Sequence, residues 1–206
     1  MRQSLFDDDP ITVDDIKTEC KKIYLNYEDI VFSPLPQLLC QNCGMFGRTF
    51  RCPPFTMPYY KTREHLKNYN KFLLIIAESN KEDMLERYKH EREEFKVGTW
   101  KAEFYMGTQA NAINLGKVRR DMRSVLIFLK TRFKYIVAYD VGGGCLRCRP
   151  CNKHQHKPCK HPLDSFPSPE GSGIDLYQTL RKIGFELETP PKTKYISVAM
   201  LVWRTE

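Results

Sequence analysis

No stretch of this sequence is apolar for long enough to cross a bilayer. The longest unbroken run, Phe72 to Ala77, is far short of the ~18 residues a spanning helix needs. The acidic start Asp7-Asp8-Asp9 also lacks the basic and apolar regions of a secretory signal. Low-complexity tracts are missing as well, and no internal repeat is visible beyond two cysteine-rich loops. A soluble, cytoplasmic protein without a membrane partner is expected. With 41% apolar and 12% aromatic side chains among 206 residues, disorder is excluded for most of the chain. The length suits a single domain over residues 1–206 with one sizeable core.

Seven of the eight cysteines fall in two tight clusters, Cys40/Cys43/Cys52 and Cys145/Cys148/Cys151/Cys159. Without a secretion signal, such clustering argues for metal rather than disulfides. Cys20 stands alone. No second ligand lies near it at metal spacing, so a small buried thiol accounts for it better than ligation does.

The pattern along the chain alternates helix and strand. Residues 11–23 read as a short helix capped by Thr12, with Asp14 and Asp15 in its first turn. Ile30-Val31-Phe32 suggests a strand, and Tyr60 to Tyr69 a short helix leading into a buried strand at Lys71 to Ala77. A helical segment spans about 80–132. It opens with an exposed, charged stretch from Glu82 to Phe95 and continues from Phe104 to Arg132, where Gly107 and Gly116 are candidate breaks. Val118, Met122, Val125, Leu126 and Leu129 mark one face of that helix. Lys134 to Asp140 reads as a strand, Ile174 to Ile183 as a helix capped by Ser172 or Gly173 and stopped by Gly184, and Tyr195 to Trp203 as a final strand. The expected class is α+β: a mixed β-sheet with packed helices and two cysteine-rich loops, at about 38–56 and 142–164.

In the second loop the spacing is Cys145-x2-Cys148-x2-Cys151-x7-Cys159. Three cysteines at consecutive three-residue steps let a tight loop offer thiolates to three irons of one cubane. Zinc sites instead take two cysteines from one Cys-x2-Cys and find the other pair elsewhere. The final gap of seven, with proline at 162, departs from the ferredoxin pattern. Gly142 to Gly144 would let backbone amides approach the sulfides, or simply make a flexible strand exit. His154, His156 and His161 crowd the same loop, so zinc bound by Cys and His stays open as the alternative.

The first loop, Cys40-x2-Cys43-x8-Cys52-Pro53-Pro54, supplies only three cysteines. A fourth ligand could come from the second loop, from another side chain or from an exogenous group, or one iron could be left open. An open metal position binds substrate or water, which is what separates catalytic from structural sites. A single closed site built from Cys40, Cys43, Cys52 and one cysteine of the second loop is the competing arrangement.

Taken together, Cys40-x2-Cys43, Gly47, Phe50, Cys52-Pro53-Pro54, Gly144-Cys145-x2-Cys148-x2-Cys151, Cys159-Lys160-His161-Pro162, Pro167-Ser168-x-Glu170 and Gly173-Ile174-Asp175 resemble a known family. It is the predicted metal-binding proteins of domain of unknown function 2284. The resemblance implies metal binding through the seven cysteines, as iron-sulfur, and implies no established reaction. It also draws attention to Glu170 and His161 as candidate catalytic groups beside the second loop, able to orient a ligand or move a proton. A carboxylate stabilised at a helix start accounts for Glu170 equally well.

Charge adds two partner expectations. Lys117, Arg119, Arg120, Arg123, Lys130, Arg132 and Lys134 stand against Asp121 alone, a face that could hold nucleic acid, although no nucleic-acid motif accompanies it. Arg147, Arg149, Lys153, Lys157 and Lys160 surround the second loop. They would offset an anionic metal-thiolate unit or steer an acidic electron-transfer protein. The formal charge of +8 therefore belongs partly with the metal sites. The reading preferred on these grounds is a protein carrying one or two iron-sulfur clusters of the 4Fe-4S type, with a redox role in electron transfer or in chemistry at an incompletely ligated cluster. A zinc-binding structural or interaction module with a basic helix is the alternative.

Overall fold

A computed structural model describes residues 12–87, 100–142, 145, 147–148, 150–185, 187 and 193–205. Four strands form one sheet in the order β1-β2-β4-β3, with β1 at Lys21–Leu25, β2 at Lys71–Asn80, β3 at Ile136–Tyr139 and β4 at Lys194–Trp203. The helices are α1 (Leu35–Leu39), α2 (Tyr59–Leu66), α3 (Lys81–Arg87), α4 (Trp100–Lys130) and α5 (Leu176–Lys182). The α+β class is as expected. All three strand pairings are antiparallel, so the expected mixture of pairings resolves into a purely antiparallel sheet.

The sheet is covered on both faces, which explains why β2 reads as a continuous apolar run rather than an alternating one. Leu73, Ile75 and Ala77 of β2 join Ala199, Leu201 and Trp203 of β4 in a core against Val118, Met122, Val125 and Leu129 of α4. Phe72, Leu74 and Ile76 point the other way, with Val198, Met200 and Val202, onto Leu66 of α2 and Leu176 and Leu180 of α5. The register pairs Leu73 with Leu201 and Leu74 with Met200, so the same-face neighbours meet across the two central strands. Each fully buried side chain of this kind contributes about 1.5–3 kcal/mol relative to exposure.

Four further expectations change. Thr12 does cap a turn, but that turn is a 3-10 piece at Val13–Asp15, and the chain then extends into β1 instead of continuing as a helix. Pairing of β1 along Leu25↔Phe72 and Ile23↔Leu74 outweighs the local helical pattern. Ile30-Val31-Phe32 makes only a single bridge, Phe32↔Ile174. The last helix is capped by Asp175, whose carboxylate accepts from the Gln178 amide, rather than by Ser172 or Gly173. Neither Gly107 nor Gly116 breaks α4. The helical reading of Glu82 to Phe95 holds over α3, and its remainder lies outside the described residues. Cys20 is a core thiol, 7% exposed. Burial, then Asp121, pushes it up to about 12.

Candidate metal centre

The first cysteine loop runs from the end of α1 to the start of α2, and its fold depends on one glutamine. Gln37 on α1 donates through Nε2 to the carbonyls of Met57 and Gly171, both at 2.9 Å, and its Oε1 accepts from the Tyr59 amide at 2.9 Å. One side chain thereby ties α1, the loop's exit, α2 and the Glu170–Ser172 turn together. Gly173 completes that junction. Its φ is +77°, and a Cβ there would stand 2.2 Å from Cβ of Tyr59, so only glycine fits. These contacts bring Glu170 to the first loop as well.

Cys40, Cys43, Cys52 and Glu170 line one cavity of about 190 Å³, with Met45, Phe46 and Gly142 among its other walls. Glu170 Oε2 is buried there without a hydrogen-bond partner. Burial pushes the Glu170 carboxyl above its ordinary range, against the lowering effect of its own backbone and Ser168. Burial likewise pushes the Cys40 thiol up to about 11, with Glu170, Cys43 and Cys52 adding to it. Thr49 Oγ1 donates to Cys52 Sγ at 3.4 Å.

Between the two loops lies a buried ion network. Arg51, 5% exposed in its side chain, pairs with Asp140 at 2.8 Å, and Arg119 Nε pairs with the same Oδ2 at 2.9 Å. Arg51 also donates to the carbonyls of Val141 and Phe166, while Arg119 Nη2 is buried without a partner. Two guanidiniums share one carboxylate, so the network carries a net positive charge. Burial pulls the Arg51 guanidinium below its ordinary value, Asp140 acts the other way, and so do Cys145 and Cys52 on either side. Arg51 precedes Cys52, and Asp140 leads into Cys145, so the network joins the roots of both loops. Lys153 of the second loop adds a further contact, its Nζ 5.1 Å from the centre of the Phe55 ring.

Cys145, Cys148, Cys151 and Cys159 are all half-buried in the second loop. Cys159 Sγ accepts from the His161 amide at 3.4 Å, and Cys145 Sγ lies 3.9 Å from Ser165 Oγ. His154, His156 and His161 are exposed. Among the described residues, no three His, Cys, Asp or Glu side chains stand close enough to hold one metal ion. Gly143, Gly144 and Arg149 lie outside the described residues, and with them part of the expectation for the glycine run and the basic rim. Of the basic residues on α4, Arg119 is committed to the buried network and Arg120 pairs with Glu19 at 2.6 Å.

The family's sequence model matches residues 23–203, a span that starts within β1, ends with β4 and contains both cysteine loops. The chain belongs to the family of predicted metal-binding proteins, domain of unknown function 2284. No curated protein and no solved structure matches it. No helix among the described residues is long and apolar enough to cross a membrane.

The donors of the first loop do not converge on a single metal ion, yet two observations fit a larger thiolate-bound group there. The first loop's cavity has room for several atoms, about six waters by volume. An anionic metal-thiolate group there would also answer the uncompensated guanidinium charge beside Cys52, since buried charge is otherwise costly. Cys40, Cys43 and Cys52 would hold such a group in the first loop, and Cys145, Cys148, Cys151 and Cys159 in the second. Sequence reasoning missed Gln37, Arg51 and Asp140. Their partners lie far along the chain, and only the position of Arg51 directly before Cys52 gave any signal.

Proposed function

We propose that this protein is a 4Fe-4S iron-sulfur protein with a redox role, its second loop closing one cluster with four cysteines and its first loop holding an incompletely ligated one. The observation that carries this reading is the buried, unpartnered Glu170 Oε2 in the same cavity wall as Cys40, Cys43 and Cys52. Three thiolates plus one poised carboxyl differ from a closed four-cysteine set, and that difference is what a site with an exchangeable position requires. When bound, the cluster supplies one-electron chemistry and, at an iron lacking a fourth cysteine, a Lewis-acidic position.

The chain's own residues have separate tasks in this reading. Arg51 and Arg119 place cationic charge at the roots of both loops, where it offsets an anionic metal-thiolate group. Glu170 faces the exchangeable position, where it can accept a proton or a hydrogen bond from a bound molecule. His161, exposed and touching Cys159 through its backbone amide, serves the second loop by that amide and not by its ring. Arg147, Lys153, Lys157 and Lys160 form the side on which an acidic electron-transfer protein docks.

Anaerobic purification followed by iron, acid-labile sulfide and zinc analysis tests the proposal. Iron and sulfide in equal amounts with broad visible absorption are expected. A colourless protein with stoichiometric zinc and no sulfide would contradict it and favour the zinc-stabilised module.

A further inference from the structure

The cavity of the first cysteine loop continues into a much larger one, and strand lengths explain why. β3 has four residues and pairs only with 200–203 of β4. The rest of β4 is paired with β2 on one side, and among the described residues no strand covers Ile196–Val198 on the other. Directly after β3 the chain leaves the sheet at Val141 and Gly142. A gap of about 910 Å³ results, walled by Leu115 of α4, Leu176 and Leu180 of α5, and Leu35 and Leu39 of α1. At one end the walls are Cys40, Cys43, Gly142 and Glu170, the same residues that line the smaller cavity.

The walls restrict what can sit there. The volume lies in the range of small-molecule sites, and the lining is largely aliphatic, with Tyr177, Gln178 and Ser197 as polar exceptions besides the two carboxylates and two cysteines. Along the aliphatic walls water is a poor occupant, because each molecule needs two to four polar partners. Asp175, the other carboxylate in the wall, is engaged in capping α5. Glu170 Oε2 is left as the buried acceptor without a partner. Two carboxyl groups in the lining disfavour an anionic ligand such as a nucleotide or sugar phosphate. An apolar body with one donor group satisfies both the walls and Glu170.

We propose that this chamber binds a small, largely apolar organic molecule bearing a hydroxyl or amine, seated with that donor on Glu170 and therefore next to the first cysteine loop. The assignment of this molecule as the redox substrate rests on the iron-sulfur reading, whereas its binding does not. Leu39 is 59% exposed on α1, so the chamber's outer wall is reachable from solvent and a substitution there leaves the two cores untouched.

The test uses the full-length, anaerobically prepared protein and two fluorinated probes followed by fluorine NMR: 4-fluorobenzyl alcohol, and 4-fluorotoluene as the same body without the donor. Both should bind saturably, the alcohol about tenfold more tightly, the typical worth of one hydrogen bond to a buried acceptor. Glu170→Gln should keep that preference and Glu170→Leu should reduce it to less than about twofold. Leu39→Trp, which narrows the chamber while leaving Glu170 in place, should weaken both probes together. Failure of either probe to saturate the wild-type protein, equal affinity for the two, or unchanged binding in Leu39→Trp would each overturn the proposal. Iron and sulfide are measured on the same samples. Saturable binding without iron supports the chamber and contradicts the redox reading, whereas iron and sulfide without saturation do the reverse.

Discussion

Gln37 joins four segments around the first cysteine loop with three hydrogen bonds, and Arg51 anchors the same loop to Asp140, Val141 and Phe166. Among the described residues of the second loop the side-chain hydrogen bonds stay within the segment, while Arg51 holds its roots at Val141 and Phe166 and Lys153 reaches the Phe55 ring. Asn152 Nδ2 donates to the Pro158 carbonyl at 2.9 Å, and Arg147 reaches the half-exposed Asp164 at 3.5 Å. The first loop is therefore braced along its length as well as at its roots, while among the described residues the interior of the second is braced mainly by bonds within itself. This is the division expected between a site whose geometry must be kept when a position is open and a closed site that its metal organises.

Breaking the network at the loop roots gives the largest effect. Asp140→Ala leaves Arg51 and Arg119 buried without their shared carboxylate, so a loss of about 3–5 kcal/mol is expected in urea unfolding. Gln37→Ala comes next, at about 2 kcal/mol for three bonds lost together, and it should lower metal retention at the first loop. The matching change in the second loop, Asn152→Ala, removes one exposed bond and should cost less than about 1 kcal/mol. Equal losses for Gln37→Ala and Asn152→Ala would erase the distinction between the loops. Chelation sharpens it from the other side: amide exchange should rise more over residues 150–164 than over 40–58 once metal is removed.

The smallest effect serves as a control on the sheet alone. Glu78 on β2 pairs with Lys21 on β1 at 2.6 Å and with Lys194 on β4 at 3.1 Å. Burial raises its carboxyl, but the two lysine hydrogen bonds outweigh burial and hold it below the ordinary value of 4.5. A carboxyl with a depressed folded value stabilises above its unfolded value and loses that contribution as pH falls through the folded one. The lysines are more than half exposed, so the contribution is under about 1 kcal/mol. Glu78→Gln should flatten the acid limb of the stability profile by that amount and leave both loops unaltered.

The parts legible in the sequence are those encoded by local period or spacing. The face Val118, Met122, Val125 and Leu129 and the run Phe72 to Ala77 announce buried elements, because burial imposes a 3.6-residue repeat on one and apolar continuity on the other. The cysteine spacing announces the loops in the same way. The start of β1, Lys21 to Ile23, falls inside the helical pattern of residues 11–23 because Thr12 and the two aspartates do make a capped start, and nothing local reveals that β2 is waiting as a partner. The nearness of Glu170 to Cys40 is hidden for a similar reason: it depends on Gln37, Thr56 and Gly173 holding the Glu170–Ser172 turn against α1 and α2. Arg51 and Asp140 stand 89 positions apart in the sequence, so their pairing with Arg119 is invisible until the sheet brings the three together.

The central claim, that the first loop holds a metal group of its own beside Glu170, is most directly tested by iron and sulfide content and the visible and paramagnetic spectra of Cys52→Ser against wild type. The account predicts that this variant loses the iron and sulfide of the first loop and keeps the spectrum of the closed second cluster. Full retention of iron and sulfide with an unchanged spectrum would contradict it.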